Sequence, residues 1–193
     1  MNSRVLGPGG GLLAALILAG CVEVPPAAVQ QMIRAGWEHP QAYAGPDEVT
    51  IPLTRAPDHK LYFTLLVNGH PLPVAIDTGA RTVFDRPTLW GLGLTGYRTN
   101  GDFWGFGGAV RVYAGYVNEL DLGGLKIEGL SVIMLDLADL RRSQQEASLP
   151  AVSGLVGADL LAALGARIDF DHLTLTLRKP PAAAPAHADS SHP

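Results

Sequence analysis

The sequence predicts a single, mostly β domain with one short helix near its C-terminal end. Short runs of apolar residues, or of apolar residues alternating with polar ones, recur along the chain, a pattern typical of strands. Two dipeptides that tolerate positive φ, Asn68-Gly69 and Gly123-Gly124, stand beside such runs and predict tight turns. Only Ala158–Leu164 has a persuasive helical period, and Gly165 stands where that helix should end. The predicted strands are Val49–Leu53, Leu61–Val67, Leu72–Ile76, Val110–Val117, Leu130–Leu135, Arg167–Phe170 and Leu173–Leu177.

Composition and charge exclude several classes of protein. The chain has 193 residues, 47% of them hydrophobic and 17% charged, which fits one globular domain with extra sequence at its ends. The net charge is −4 and the basic residues are scattered, so a nucleic-acid partner is not expected. A single cysteine excludes an intrachain disulfide and a zinc site made of several thiolates.

The N-terminal segment predicts export. Arg4 precedes an apolar stretch, Leu12–Ala19, that is shorter than the roughly 20 residues needed to span a bilayer as a helix. The stretch ends in Leu18-Ala19-Gly20-Cys21, which resembles a bacterial lipobox and implies acylation of Cys21. Val22 follows in place of the aspartate that favours inner-membrane retention, so the resemblance implies the outer membrane, with the protein facing the periplasm. An ordinary signal peptide that leaves Cys21 as a free thiol is the alternative.

Composition shifts divide the chain into four predicted segments. Residues 1–20 are the signal peptide, and residues 21–48 are the lipidated cysteine and a tether rich in proline and alanine. Residues 49–179 form the folded domain. Residues 180–193 are a low-complexity tail, too poor in apolar side chains to pack, and are predicted to be disordered.

The candidate chemistry lies in Asp77-Thr78-Gly79-Ala80. An aspartate at the end of an apolar strand is held by the turn that follows, because Gly79 lets backbone N–H groups approach the carboxylate. Such an aspartate is positioned rather than merely solvated. A second element, Gly154–Leu161, combines two apolar residues, a glycine, a variable residue and an acid with the start of the predicted helix.

These two elements together resemble the retropepsin-like aspartic proteases, the single-domain relatives of pepsin. The resemblance covers about the whole core and implies an acid-protease barrel with one short C-terminal helix. Between the elements, Asn100–Val112 resembles the family's glycine-rich flap hairpin; a plain surface hairpin is the alternative. The substrate-binding residues implied by the resemblance are Ala80, Trp104, Gly105, Phe106 and Gly107.

The family mechanism implies roles for the residues of the catalytic turn. Two aspartates about 3 Å apart cannot both ionise, so they share a proton; one draws a proton from water while the other polarises the scissile carbonyl. This chain has one such motif, so activity on a peptide or protein substrate implies a homodimer with Asp77 from each subunit. Thr78 would support the paired turns and Gly79 would line the cleft. No cofactor and no metal are implied.

Two departures from the retroviral pattern bear on function. The arginine that follows the second glycine is replaced by Ala158, while Arg81 follows the catalytic turn. Arg81 could pair with Asp159, or the two could be a surface arginine and a helix-start aspartate. The chain also continues beyond Phe170 into another strand, which could cap the dimer edge within one subunit. A monomeric, non-catalytic binding or scaffold lipoprotein that keeps the fold is therefore the alternative function.

Two further patterns have weaker support. Gly91–Gly96 has the spacing of a dinucleotide fingerprint, but no strand precedes it and no amphipathic helix follows. Asp169, Asp171 and His172 could suggest a metal site, although a solvated hairpin end explains them better. No glycine-serine-glycine nucleophile elbow is present, which disfavours a covalent serine hydrolase.

Overall fold

A computed structural model describes Pro40, residues 42–105 and residues 108–181. Residues 97, 99–105 and 108–110 are described by their backbone alone. The predicted signal peptide, Cys21, the tether up to residue 39 and the tail from residue 182 lie outside the described residues. The structure therefore covers the predicted folded domain and leaves the export predictions untested.

Twelve strands and three helices make up the described part of the chain. The helices are α1 (Arg86–Gly91), α2 (Ala138–Glu146) and α3 (Ala158–Ala163). The strands are β1 (Ala42–Ala44), β2 (Glu48–Pro52), β3 (Thr54–Arg55), β4 (Leu61–Val67), β5 (His70–Asp77), β6 (Val83–Asp85), β7 (Gly96–Gly105), β8 (Gly108–Leu122), β9 (Leu125–Leu135), β10 (Gly154–Gly157), β11 (Arg167–Asp169) and β12 (Thr174–Arg178).

Six of these strands close into a barrel in the order β9, β6, β10, β5, β4 and β8, with β8 pairing back to β9. The pairs β10–β5 and β6–β9 are parallel, and the other barrel pairs are antiparallel. β1, β3 and β7 add to the edges of β9, β4 and β8. The barrel encloses apolar side chains such as Val74, Phe84 and Leu130, which are almost fully buried. The mostly β barrel predicted from the sequence is confirmed.

Both predicted turn dipeptides connect antiparallel strands. Asn68 and Gly69 join β4 to β5 with φ of 49° and 80°. Gly123 and Gly124 join β8 to β9 with φ of 68° and 102°. These positive φ angles strain most side chains but not glycine, and asparagine tolerates them better than other residues. The short-range signals in the sequence therefore set the position of both hairpins.

A separate three-stranded sheet, ordered β11-β12-β2, packs one face against the barrel. Buried and more exposed residues alternate along β2 and β12, as expected of strands with one solvent-exposed face. The buried residues are Val49, Ile51, Leu175 and Leu177. β12 pairs with β11 within the same chain, so the extra strand covers one edge of β11 as its position in the sequence suggested. Among the described strands, β11 keeps its other edge unpaired.

The predicted helix at Ala158–Leu164 is confirmed as α3, and Gly165 follows it with φ of 52°. α1 and α2 were not predicted. α1 begins at an aspartate cap, since the carboxylate of Asp85 accepts the N–H of Thr88. α2 buries Gln144 rather than a row of large apolar residues, so its sequence lacks a clear hydrophobic period. Within the described residues, no helix is long and apolar enough to cross a bilayer.

The folded part of the chain begins before the predicted domain boundary at Val49. β1 lies within the segment predicted as a tether and pairs with β9, with Tyr43 opposite Ile127. Tyr43 is partly buried and packs against the hydrophobic core. Any tether therefore ends ahead of residue 42.

Candidate active site

Asp77 is the last residue of β5, and the turn that follows holds its side chain. The N–H of Gly79 donates to Asp77 Oδ1 at 3.1 Å, and the N–H of Ala80 donates to the Asp77 carbonyl at 3.1 Å. Asp77 is partly exposed, whereas Thr78 and Gly79 are exposed. The carboxylate is thus held by one backbone donor, the Gly79 N–H, in a turn at the surface of the protein where a substrate could reach it.

The second sequence element lies directly beside this turn. β10 runs parallel to β5, and Gly157 is the register partner of Asp77. The N–H of Ala158, at the start of α3, donates to the carbonyl of Ala80 at 2.9 Å. Two motifs about 80 residues apart in the sequence therefore form one structural unit around the candidate catalytic aspartate.

Thr82 and Asp159 link the segment after Asp77–Ala80 to α3, where Ala158 replaces the arginine of the retroviral pattern. Thr82 is 1% exposed, and both its N–H and its hydroxyl donate to Asp159 Oδ1, at 2.9 and 2.7 Å. The Thr82 hydroxyl in turn accepts the N–H of Gly157 at 3.0 Å. Asp159 Oδ1 also accepts the N–H of Leu160. The segment after the catalytic turn is thereby tied to the start of α3 through side chains.

Arg81 does not pair with Asp159. Both residues are described, and neither a hydrogen bond nor an ion pair joins them. Of the two possibilities left open by the sequence, the structure matches the second, a helix-start aspartate beside an independent arginine. The Arg81 side chain is partly exposed.

Gly157 has no room for a side chain. A Cβ at this position would lie 2.3 Å from the Arg81 carbonyl carbon, 2.4 Å from the Ala80 oxygen and 2.5 Å from the Thr82 nitrogen. These neighbours are backbone atoms of residues 80–82, directly after Asp77-Thr78-Gly79, so they cannot rotate away. The close approach explains why the second motif needs glycine opposite Asp77.

Replacement of Gly157 by alanine is expected to lower the free energy of unfolding by about 2–3 kcal/mol, because the added methyl group forces the turn away from β10. Chemical denaturation would measure the loss. Gly91→Ala is the matched control, since a Cβ there meets nothing within 4 Å, and its effect should stay within about 0.5 kcal/mol. Equal stabilities of the two variants would contradict the packing argument.

Asp85, the last residue of β6, is a buried aspartate that the sequence analysis did not identify. Asp85 is 0% exposed. Its carboxylate accepts the N–H and hydroxyl of Thr88, at 3.0 and 2.6 Å, and the N–H of Leu137 at 3.0 Å, and it forms an ion pair with the guanidinium of Arg141. The aspartate followed by arginine and proline could have indicated a helix start, because aspartate is a preferred N-cap residue.

Asp85 connects three elements that flank the site. It ends β6, caps α1 and, through Arg141, holds α2. Its backbone N–H donates to the Ser153 carbonyl at 2.8 Å, one residue before β10. α2 is fixed a second time by the buried side chain of Gln144, whose Oε1 accepts the N–H of Val152 at 3.3 Å. The long connection between β9 and β10 is thereby anchored near the strand that supports Asp77.

The predicted flap is a β-hairpin in its backbone. β7 and β8 pair antiparallel up to Gly105 opposite Gly108, with a register shift between Arg98 and Asp102. Trp104 and Gly105 lie in β7, and their backbones are described; Phe106 and Gly107 lie outside the described residues. Substrate contact by these four residues stays a prediction.

The two weaker patterns have structural explanations. Gly91 is the last residue of α1 and Gly93 follows with φ of 78°, so Gly91–Gly96 ends a helix instead of preceding one. Asp169 accepts the N–H groups of Asp171 and His172 at 2.9 Å and contacts His172 Nδ1 at 2.8 Å. That carboxylate closes the turn between β11 and β12, as expected of a hairpin end.

The closed barrel, with the Asp77 turn set against β10, is the fold that the resemblance to the retropepsin-like aspartic proteases predicts. The sequence matches the model of the family described as "Aspartyl protease" over residues 63–160, and the chain belongs to this family. The match includes Asp77–Ala80, β10 and the first residues of α3.

Solved structures that resemble this chain include the following three. A retropepsin-like aspartic protease from Rickettsia conorii has 20% identity and a TM-score of 0.44, covering 70% of this chain and 92% of its own. The EIAV protease in complex with an inhibitor has 24% identity and a TM-score of 0.45, covering 61% and 99%. The retroviral protease-like domain of Ddi1 from Leishmania major has 18% identity and a TM-score of 0.43, covering 61% and 87%. No curated protein matches the sequence significantly.

Proposed function

We propose that the protein is an aspartic endopeptidase that hydrolyses peptide bonds with a pair of aspartates, one Asp77 from each chain of a homodimer. The observation that carries this proposal is the Asp77 turn, fixed by the Gly79 N–H and set against Gly157 of β10. Membership of the aspartyl protease family supports the general activity.

The need for a second chain follows from the chemistry of one carboxyl group. A lone carboxylate can take a proton from water, but it cannot at the same time donate a hydrogen bond to the scissile carbonyl. Within the described residues, Asp77 has no hydrogen bond to a second carboxyl group, and the hydroxyl of exposed Thr78 has no partner. Both features are expected of a half-site whose remaining contacts come from a second copy.

The reaction would run through the shared proton. With the two Asp77 side chains about 3 Å apart, repulsion between like charges keeps one of them protonated. The ionised carboxylate takes a proton from a water molecule, whose oxygen attacks the scissile carbonyl carbon while the protonated carboxyl group polarises the carbonyl oxygen. A proton then passes to the leaving amine, and the C–N bond breaks.

Thr78, Gly79 and Ala80 have supporting parts in this proposal. Thr78 would hydrogen-bond across the two turns, since its hydroxyl is exposed beside the aspartate. Gly79 and Ala80 would line the cleft, together with the tip of the β7–β8 hairpin. Among the described strands, one edge of β11 is unpaired, and a second copy would pair there in spite of the added strand β12.

Dependence of activity on protein concentration tests the dimer. Below the dissociation constant of the dimer, the cleavage rate of a peptide library per chain should rise in proportion to protein concentration, and it should level off above that constant. Sedimentation over the same range should show the change from monomer to dimer. A constant rate per chain would point to a catalytic monomer, and a monomer that cleaves no peptide would favour a binding scaffold.

Membrane attachment is a further part of the proposal. An acylated Cys21 would hold the domain on the periplasmic side of the bacterial outer membrane. Confinement to a surface raises the effective concentration of the chains and so favours dimers. Mass spectrometry of the mature N-terminal peptide tests this, since an unmodified Cys21 would contradict it.

A further inference from the structure

Arg81 occupies a defined place beside the candidate catalytic aspartate. It lies four residues after Asp77, between Ala80, whose carbonyl is bonded to α3, and Thr82, whose side chain is buried and bonded to Asp159. Thr82 is 1% exposed, whereas Arg81 is partly exposed and so is accessible to a ligand. Arg81 is therefore a partly exposed residue between two neighbours that are held by hydrogen bonds to α3.

The guanidinium group of Arg81 has no partner among the described residues. Asp85 pairs with Arg141, and Asp159 Oδ1 accepts from Thr82. The second oxygen of Asp159 is buried and has no hydrogen-bond partner within the described residues, Arg81 included. Only Arg98 and Arg111, on the β7–β8 hairpin, share this lack within the described residues. The arginines with partners are Arg55, Arg86, Arg141, Arg142, Arg167 and Arg178, which contact carboxylates, aromatic rings or a backbone carbonyl.

We infer that Arg81 is a specificity-determining residue that selects peptides with an acidic side chain, aspartate or glutamate, close to the scissile bond. This inference rests on the proposed function. A guanidinium presents paired donors that match a carboxylate, and it stays charged at any physiological pH.

The negative charge of the two catalytic aspartates affects which substrates can bind, so a nearby arginine matters for specificity. A dyad that shares one proton carries a net negative charge, which repels an acidic substrate. A cation directly after the turn that holds Asp77 would offset that repulsion. Two-fold symmetry would place one Arg81 on each side of the scissile bond, so acidic residues on either side should be accepted.

Matched peptide pairs test the inference with the full-length protein. Two peptides with the same cleavable sequence would carry either glutamate or glutamine next to the scissile bond. The wild type should cleave the glutamate peptide with about 5- to 10-fold higher kcat/KM, the range expected of a partly exposed ion pair with charged hydrogen bonds. Arg81→Gln should remove the difference, and Arg81→Lys should keep part of it.

A matched control separates recognition from general charge. Arg142 is an exposed arginine on α2, paired with exposed Asp139, and Arg142→Gln changes the net charge by the same amount. It should keep the wild-type preference. Equal cleavage of both peptides by the wild type, or a preference that persists in Arg81→Gln, would overturn the assignment.

Binding measurements distinguish this inference from the proposed hydrolysis. The same two peptides with a reduced, uncleavable scissile bond would be titrated into the wild-type protein by calorimetry. Tighter binding of the glutamate form without any cleavage would reject hydrolysis and support Arg81 as the recognition residue. Cleavage without a charge preference would support hydrolysis and reject the recognition role of Arg81. Failure to bind either peptide would also overturn the role of Arg81.

Discussion

Replacement of Asp77 by asparagine is expected to reduce peptide hydrolysis by on the order of 10³-fold. An amide has the size of the carboxyl group and can still accept the Gly79 N–H, so the turn should keep its shape. It can neither take a proton from water nor share one with a partner. The measurement is kcat/KM on one cleavable peptide, together with a thermal melt to show that the variant is folded.

Asp171→Asn is a suitable control, because Asp171 is exposed in the turn between β11 and β12. It removes the same charge far from the site in sequence and should leave the rate unchanged. Cleavage that survives in Asp77→Asn would remove the catalytic assignment, whatever the oligomeric state.

Mixing wild type with Asp77→Asn links this loss to the dimer. If the chains exchange and pair at random, an equal mixture contains about one quarter of dimers with two aspartates, so the rate per wild-type chain falls to about half. A catalytic monomer would show no such loss.

The two hairpins and the position of Asp77 at the end of a strand could be predicted because their signals are local. Asn68-Gly69 and Gly123-Gly124 set their own φ angles, and the alternation in β2 and β12 reports one buried face. The apolar run before Asp77 similarly predicted a strand that ends at the aspartate. In each case, neighbouring residues contain the physical cause of the structure.

The remaining features depend on residues far apart in the chain. The parallel pairing of β10 with β5 joins motifs about 80 residues apart, and no local pattern specifies it. The roles of Thr82 and Asp159 arise only from that pairing. α2 was missed because polar side chains, Arg141 and Gln144, fix its inner face, so hydrophobic periodicity does not reveal it.

Removal of the Asp85 side chain is expected to be the most destabilising change in the described part of the protein. Asp85→Ala should lower the free energy of unfolding by about 3–5 kcal/mol, because it leaves the N–H of Leu137 without its acceptor, removes the cap of α1 and leaves Arg141 without its counter-ion. Denaturant titration measures the loss. Asp139→Ala, at a carboxylate that is 94% exposed, should change stability by less than about 0.5 kcal/mol.

Acid titration of the wild type and of Asp85→Ala separates the effect of the Asp85 charge from the effect of its packing. Burial raises the pKa of Asp85, but the Arg141 guanidinium and the hydrogen bonds from Thr88 and Leu137 outweigh burial and hold the pKa below its usual range. The unfolded chain, with an aspartate pKa of about 3.9, therefore binds the proton first as the pH falls. The stabilisation is fully present above that value and is lost as the pH drops through the lower pKa of the folded state. Wild type should lose stability more steeply than Asp85→Ala below about pH 4, and parallel curves would show that Asp85 is not held as a carboxylate.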